Sequence, residues 1–500
     1  MEKIRIVLVS LFCIVLFHSC SEETYDPNPG EADKVWVKNI RMTVEGEVYY
    51  GKMNEITKQI HFPMLDKEID LSSVRFRGNF PDDNAHFEHE SYDFTMEPGN
   101  PQITKVIKVV NNKRYRNYNV TLRLKLPPPG GDFAKMKKYD FGSSGAKYPD
   151  FGSIAARIAD MDMEHVLVVG RNNAAGAPKP HLLSLEDLKA GNFVPIELNL
   201  EGATGGTYMY NNGRLINGHA YVCNLSTAFN STSPFRLYHW STSRPDEPPV
   251  LVTNFIGADA EGELYSRHGD MLSLDLNARG TGFLYAKAGN DGTVGRQPGL
   301  LRIRIENYVN ASSPTGVVVK NATGANVDLG YFATYTPVDG VTDEFMYAGD
   351  QGATYLVDGG GKMIYQMTSF GNADGQAARI INFNGIRYLI VMNAPLAGGV
   401  IAMYQLDSKV ETTKEALELF DKADAGDKVN LLNPVVAIGS ATSGEHVVNI
   451  GYAKNDDLLY IIGSGVGAGF CIVEIPKPAE PDPNDDSDEF FDSLDDLGFN

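Results

Sequence analysis

The residues able to do chemistry in this chain are few, and they are charged or aromatic. Arg267-His268-Gly269-Asp270 is the densest polar cluster on any strand-like segment. Strand alternation would send His268 and Asp270 to one side, as metal binding or acid–base work requires. Two side chains make at most half a site, so the favoured reading is a satisfied His–Asp hydrogen bond in a loop. Arg157 and Arg379 stand in two identical tetrads, Ala155-Ala156-Arg157-Ile158 and Ala377-Ala378-Arg379-Ile380. Two guanidiniums brought to one place suit a sugar acid or another carboxylate. The competing and more ordinary use of each is to bond backbone carbonyls or an acidic neighbour. Tyr208, Tyr210, Tyr331 and Tyr335, with His239-Trp240, are the rings that would stack on a sugar, although strand aromatics more often pack the sheet.

Other chemistries find no support. No H-E-x-x-H, G-x-S-x-G or C-x-x-C pattern occurs. Asp358-Gly359-Gly360-Gly361-Lys362 follows a strand as a phosphate cradle would, but Met363 stands where that motif needs Ser or Thr, so a hairpin turn is predicted. The acidic residues from Asp482 to Glu489 lack the glycine and glutamate spacing of a calcium loop. Neither a metal nor a cofactor is expected. Forty-four Lys and Arg against 64 Asp and Glu leave a net charge of −20, which disfavours a nucleic-acid partner held through its phosphates.

The elements that would position these residues show in the hydrophobic pattern. From residue 133 onward, apolar runs recur in pairs, the first of each pair starting at 166, 221, 283, 345, 388 and 459. Turn residues such as Asn217-Gly218 and Asn384-Gly385 precede most first runs, and another strand lies upstream of each turn. Three to four strands recurring at roughly 40–70 residues are the signature of a β-propeller, here with six blades and seven as the alternative. The sixth unit stops after its third strand at Ile475, and Phe133–Phe141 would supply the missing outer strand. Thr412 and Glu415 form a capping box for one short helix inserted in the array. Ligands of such rings bind on the axial face. The segments entering the innermost strands are therefore the first place to look: Ser153–Ile158, Gly205–Tyr210, Ser266–Leu272, Asn326–Tyr335, Gly375–Ile380 and Gly444–Ile450.

Before this array, residues 34–126 alternate at period two in short runs separated by turns, which predicts a small β-sandwich. The Pro/Gly linker 127–132 separates the two, the array spans 133–476, and the acidic tail 477–500 carries −8 and is expected to stay disordered. At the N-terminus, Lys3 and Arg5 precede a mostly apolar run from Ile6 to Phe17 and then His18-Ser19-Cys20. That run is shorter than the roughly 20 apolar residues of a membrane span and reads as a secretory signal over 1–19. Residues 20–33 would be a flexible tether. Cysteine is scarce: with Cys13 in the signal and Cys20 at its end, Cys223 and Cys471 remain, each in an apolar run as a small buried residue would be.

Cys20 directly after the signal resembles the acylated first residue of bacterial lipoproteins, with Phe17 in place of the commoner Leu. Ser21-Glu22-Glu23 resembles the export signal of surface lipoproteins of Bacteroidota. The ending Arg116-Asn117-Tyr118-Asn119-Val120-Thr121-Leu122 resembles the closing strand of the immunoglobulin-like domains next to the anchor in such proteins. The resemblance implies lipidation at Cys20, attachment to the outer membrane with exposure at the cell surface, and capture of glycans or surface proteins. The expectation is an all-β, non-catalytic binding protein, with Arg157, Tyr208, Tyr210, His268, Asp270 and Arg379 as ligand-binding residues. The alternatives are a propeller glycan hydrolase or lyase using His268, Asp270, Arg157 and Arg379, and a structural or adhesion protein.

Overall fold

The computed structural model describes residues 33–479, except 55, 66–68, 82, 97–101, 113, 125–129, 143–147, 152–154, 172–177, 205–207, 228–232, 257–263, 291–295, 350, 371–376, 393–398, 433–435 and 438–446. The expected signal 1–19, nearly all of the tether, Cys20, half of the linker and almost all of the tail lie outside them. The described residues form two compact units, 33–124 and 130–478. Among them, no helix is long and apolar enough to cross a membrane.

In the first unit, Lys38–Val44 lies between Glu47–Tyr50 and Arg75–Asn79 in one sheet. The second sheet has the order Lys52–Met53, Gln59–His61, Arg114–Arg123, Gln102–Asn111 and His86–Phe87. Period-two alternation does the folding here, because Ile40, Met42 and Val44 point inward while Lys38 and Arg41 face solvent. They meet Ile107, Val109, Tyr118, Val120 and Leu122 of the other sheet in one apolar cluster. The run Val35-Trp36-Val37 alternates as a strand would but precedes the first strand: Asp33–Val35 is a short 3-10 turn, and the Val37 N–H donates to the Tyr118 hydroxyl at 3.2 Å.

The second unit consists of six antiparallel sheets. Their first strands are Ala156–Met161, Tyr208–Ile216, Arg267–Leu276, Thr334–Pro337, Ala377–Phe383 and Val448–Lys454. Each packs beside the first strand of the next sheet, and the sixth packs beside the first, so these six inner strands form a closed ring. Both faces of each sheet are buried, which is why the strands read as continuous apolar runs rather than alternating ones. Six apolar clusters fill the six spaces between neighbouring sheets. The arrangement is propeller-like.

Local sequence explains how the sheets turn. Asn217 and Gly218 have φ of 48° and 79°, and Asn384 and Gly385 have 45° and 79°, the positive pairs that a two-residue hairpin turn requires. The last sheet takes its outer strand from the beginning of the unit, as expected from Phe133–Phe141: Lys137–Asp140 pairs with Gly469–Pro476. Thr412 and Glu415 cap the helix Thr413–Lys422 reciprocally. A second helix, Leu185–Lys189, was not expected. The apolar run Leu182-Leu183-Ser184-Leu185 reads as strand by its pattern alone, but Ser184 ends the strand and caps the helix by accepting the Asp187 N–H at 3.3 Å.

Candidate functional site

At one end of the ring, the leading residues of several inner strands converge over a small apolar cluster of Met271, Phe332, Val447 and Val466. A continuous series of contacts runs around this end across four sheets. Arg171 follows the second strand of the first sheet and is anchored by its N–H to the Ala155 carbonyl at 2.7 Å. Its guanidinium lies 4.6 Å from the centroid of Tyr208, and its Nε donates to Asn211 Oδ1 at 3.0 Å. Asn211 and Asn212 then donate to the carbonyls of Gly269 and Asp270, each at 2.8 Å. Asp270, 1% exposed, accepts from Arg267 Nε at 2.5 Å and Nη2 at 2.9 Å. Arg267 in turn lies 4.7 Å from the ring centroid of Tyr331, whose neighbour Phe332 sits 5.9 Å from the Arg157 guanidinium.

Charge and exposure are divided along this series. Arg171, Tyr208, Arg267 and Tyr331 are half-buried, with one side open to solvent. Arg157 is 1% exposed and lies beneath them. Among the described residues of this series, the three guanidiniums of Arg171, Arg267 and Arg157 stand with one carboxylate, that of Asp270. Each tyrosine fixes the orientation of the arginine over it, Arg171 is held further by Asn211 and Arg267 by Asp270, and both arginines stay half-exposed. The arrangement can therefore bind an anionic group beside a flat apolar face. Among the described residues, no group of three or more His, Cys, Asp or Glu side chains is placed to hold a metal ion.

Comparison with known proteins adds a family. Residues 34–478 match a domain of unknown function, DUF4623. The chain belongs to the DUF4623 family. A crystal structure of a DUF4623 family protein from Bacteroides eggerthii is 28% identical, with a TM-score of 0.62 over 89% of this chain and 99% of that one. A GH43_1 enzyme from Xanthomonas citri is 10% identical, with a TM-score of 0.33 over 69% of this chain and 91% of that one. A quinonprotein alcohol dehydrogenase-like protein from Bacteroides thetaiotaomicron is 11% identical, with a TM-score of 0.32 over 78% and 97%. No curated protein matches the chain.

In this DUF4623 chain the sequence-predicted residues separate. His268 and Asp270 do not form a pair. Gly269 has φ of +101° and the register shifts between His268 and Leu272, so strand alternation breaks there. Asp270 turns to Arg267, while His268, fully buried, meets the ring of Phe235 with centroids 6.3 Å apart. Tyr210, 2% exposed, packs in the cluster between the first and second sheets and offers no face to a ligand. Tyr335 and Trp240 are likewise core residues, bonded to the Asp358 and Asn199 carbonyls. Arg379 lies over Tyr452 of the sixth sheet at 5.1 Å. Of the predicted ligand residues, Tyr208 alone is half-exposed at the site; Asp270 and Arg157 support it from beneath. Sequence reasoning missed Arg171 and Asn211. Arg171 lies outside the segments entering the inner strands: it leaves the second strand, as the first polar residue after Val166–Gly170.

The remaining predictions fall to structural roles. Asp358–Lys362 is a hairpin turn, with Gly361 at φ +84° and the Lys362 N–H on Asp358 Oδ1. Cys223 and Cys471 are free, buried and in different sheets.

Proposed function

We propose that this DUF4623 protein is a surface-anchored, non-catalytic binding protein that captures an anionic glycan at the axial end of a six-bladed propeller, with the N-terminal unit as an immunoglobulin-like spacer. One observation carries the reading: Arg171 and Arg267 each stand over a half-exposed tyrosine, Tyr208 and Tyr331, in one connected series of contacts. An acidic sugar matches both parts, since its carboxylate or sulfate accepts from a guanidinium and its ring packs on an aromatic face. Asp270 acts here as a positioning residue that holds Arg267. Six sheets separated by six apolar clusters support the blade count. The signal-like segment ending at Cys20, followed by Glu22 and Glu23, supports a lipid anchor on the outer face of the outer membrane.

The test is electrophoresis of the purified chain through gels containing polygalacturonate or neutral dextran. The expected result is retardation by polygalacturonate alone, lost in the Arg171→Ala/Arg267→Ala variant. Equal mobility in both gels, or retardation unchanged in the variant, sinks the reading. For the anchor, Cys20→Ala should abolish radiolabelled palmitate incorporation and move the chain out of the outer-membrane fraction.

A further inference from the structure

Deeper along the ring, a second pair of arginines serves neither the axial end nor an ordinary ion pair. Arg214 lies on the inner strand of the second sheet and Arg379 on that of the fifth, positions opposite each other in a ring of six. They are 3% and 9% exposed. Arg214 is anchored through Nη1, which donates to the Gly213 carbonyl at 2.9 Å and to Asn212 Oδ1 at 3.4 Å. Its Nε and Nη2, and the Nε of Arg379, are buried with no hydrogen-bond partner among the described residues. The nearby carboxylate of Asp160 is already engaged, accepting from the Leu215 N–H at 3.0 Å and from Asn449 Nδ2 at 3.2 Å. Tyr452 covers one face of the Arg379 guanidinium at 5.1 Å.

We propose that a small inorganic anion binds on the ring axis between Arg214 and Arg379. Two guanidiniums withdrawn from water repel each other, and unpaired buried N–H groups cost free energy. Water would satisfy the N–H groups but leave the two guanidiniums repelling each other, with Asp160 offsetting part of the charge at Arg214 alone. An anion bridging Arg214 Nε and Nη2 with Arg379 Nε does both, through charge-assisted hydrogen bonds. Burial pulls Arg214 down to about 10, with Asp160 opposing and Arg379 adding to the shift, so the group remains charged at neutral pH. The same pair ties sheets on opposite sides of the ring. The two sites share no arginine and meet only where Asn212 bonds both Arg214 and the Asp270 carbonyl, so either reading can fail without the other.

Calorimetric titration of the purified chain in gluconate buffer, with chloride, sulfate and phosphate in separate runs, tests the proposal and identifies the anion. The expected result is saturable binding of one anion per chain, weakened about tenfold or more in Arg379→Gln and unchanged in Arg171→Ala/Arg267→Ala. A crystal of the wild-type chain soaked in bromide should give an anomalous peak within hydrogen-bond distance of both arginines, which needs no variant to fold. Absence of saturable binding by all three anions together with absence of that peak overturns the proposal. So does affinity unchanged in Arg379→Gln.

Discussion

Lys137 and Glu474 face each other across the strand pair that closes the ring, with Nζ 3.2 Å from Oε1. They come from the two ends of the unit, so this contact ties residues 337 apart in sequence. Glu474, 7% exposed at its side chain, is also held by Lys189 and by the Tyr460 hydroxyl at 3.0 Å. Lys137 is 65% exposed. Removing each partner should therefore have unequal effects. Lys137→Ala is expected to cost less than about 1 kcal/mol, as surface ion pairs do. Glu474→Ala leaves Lys189 and Tyr460 without their acceptor, and about 2–4 kcal/mol is expected. Burial pushes the Glu474 carboxyl up, but the bonds from Lys189, Lys137 and Tyr460 outweigh it and hold it below its ordinary value. Its contribution is then complete above the unfolded value near 4.5 and lost as pH falls through the folded one. Urea denaturation of both variants at pH 7 and pH 4 checks this; equal losses for the two at pH 7 would refute it.

A histidine pair should give the fold a second acid limb. His219 Nδ1 and His239 Nε2 are 2.8 Å apart, so one neutral ring donates to the other, and His219 stacks on Tyr308 with centroids 3.5 Å apart. Burial and the neighbouring His219 pull His239 from 6.5 to about 4. The folded chain thus binds fewer protons than the unfolded chain between those values. Stability should fall as pH drops from about 6.5 to about 4, by up to about 3 kcal/mol if the whole shift is realised. His239→Gln should flatten the pH dependence of Tm over that window, and a wild-type Tm constant from pH 7 to 5 would contradict the assignment.

Gly269 is the residue that aims Asp270 at Arg267. At φ +101°, a Cβ there would lie 2.1 Å from the Asn224 carbonyl oxygen, with backbone rather than a flexible side chain in the way. Gly269→Ala should destabilise the chain by about 2 kcal/mol or more. It should also weaken polygalacturonate retention beyond what that stability loss explains, because the Asn211 bond to the Gly269 carbonyl moves with it. Retention measured well below the variant's Tm separates the two effects, and wild-type retention there would show that the bulge does not position the site.

Much of the ring was readable from local pattern, and little of the site was. The inner and second strands announce themselves as apolar runs, because sheets buried on both faces need no polar alternation. Thr412 and Glu415 mark a helix by side-chain chemistry three residues apart. The same logic misled at Leu185, where a strand and a helix share one apolar run and Ser184 alone divides them. It failed at His268 and Asp270 because period-two reasoning presumes an unbroken ladder, and nothing distinguishes Gly269 among 50 glycines until its φ is known. The contacts of Arg171 with Tyr208 and of Asn211 with Gly269 join different sheets. They exist only once the ring has closed, so no spacing in the chain encodes them.

The two internal cysteines provide a probe of that closed ring. Cys223 and Cys471 lie on strands of the second and sixth sheets, and burial pushes the Cys223 thiol up to about 12 and raises Cys471 as well. At pH 8 a thiol of pKa near 12 is thiolate in only about one molecule in ten thousand, and the thiolate is the reactive form. Cys223 also donates weakly to the Gly269 carbonyl at 3.7 Å, which links its exposure to the bulge beneath Asp270. In a signal-free chain carrying Cys20→Ser, DTNB should titrate no thiol in native buffer and two in guanidinium. In Gly269→Ala on that background, Cys223 should react first while Cys471 stays protected, since the strain is confined to the second and third sheets. Simultaneous release of both thiols would instead mean that the ring opens as one cooperative unit, and prompt reaction in the native chain would contradict the burial of either cysteine.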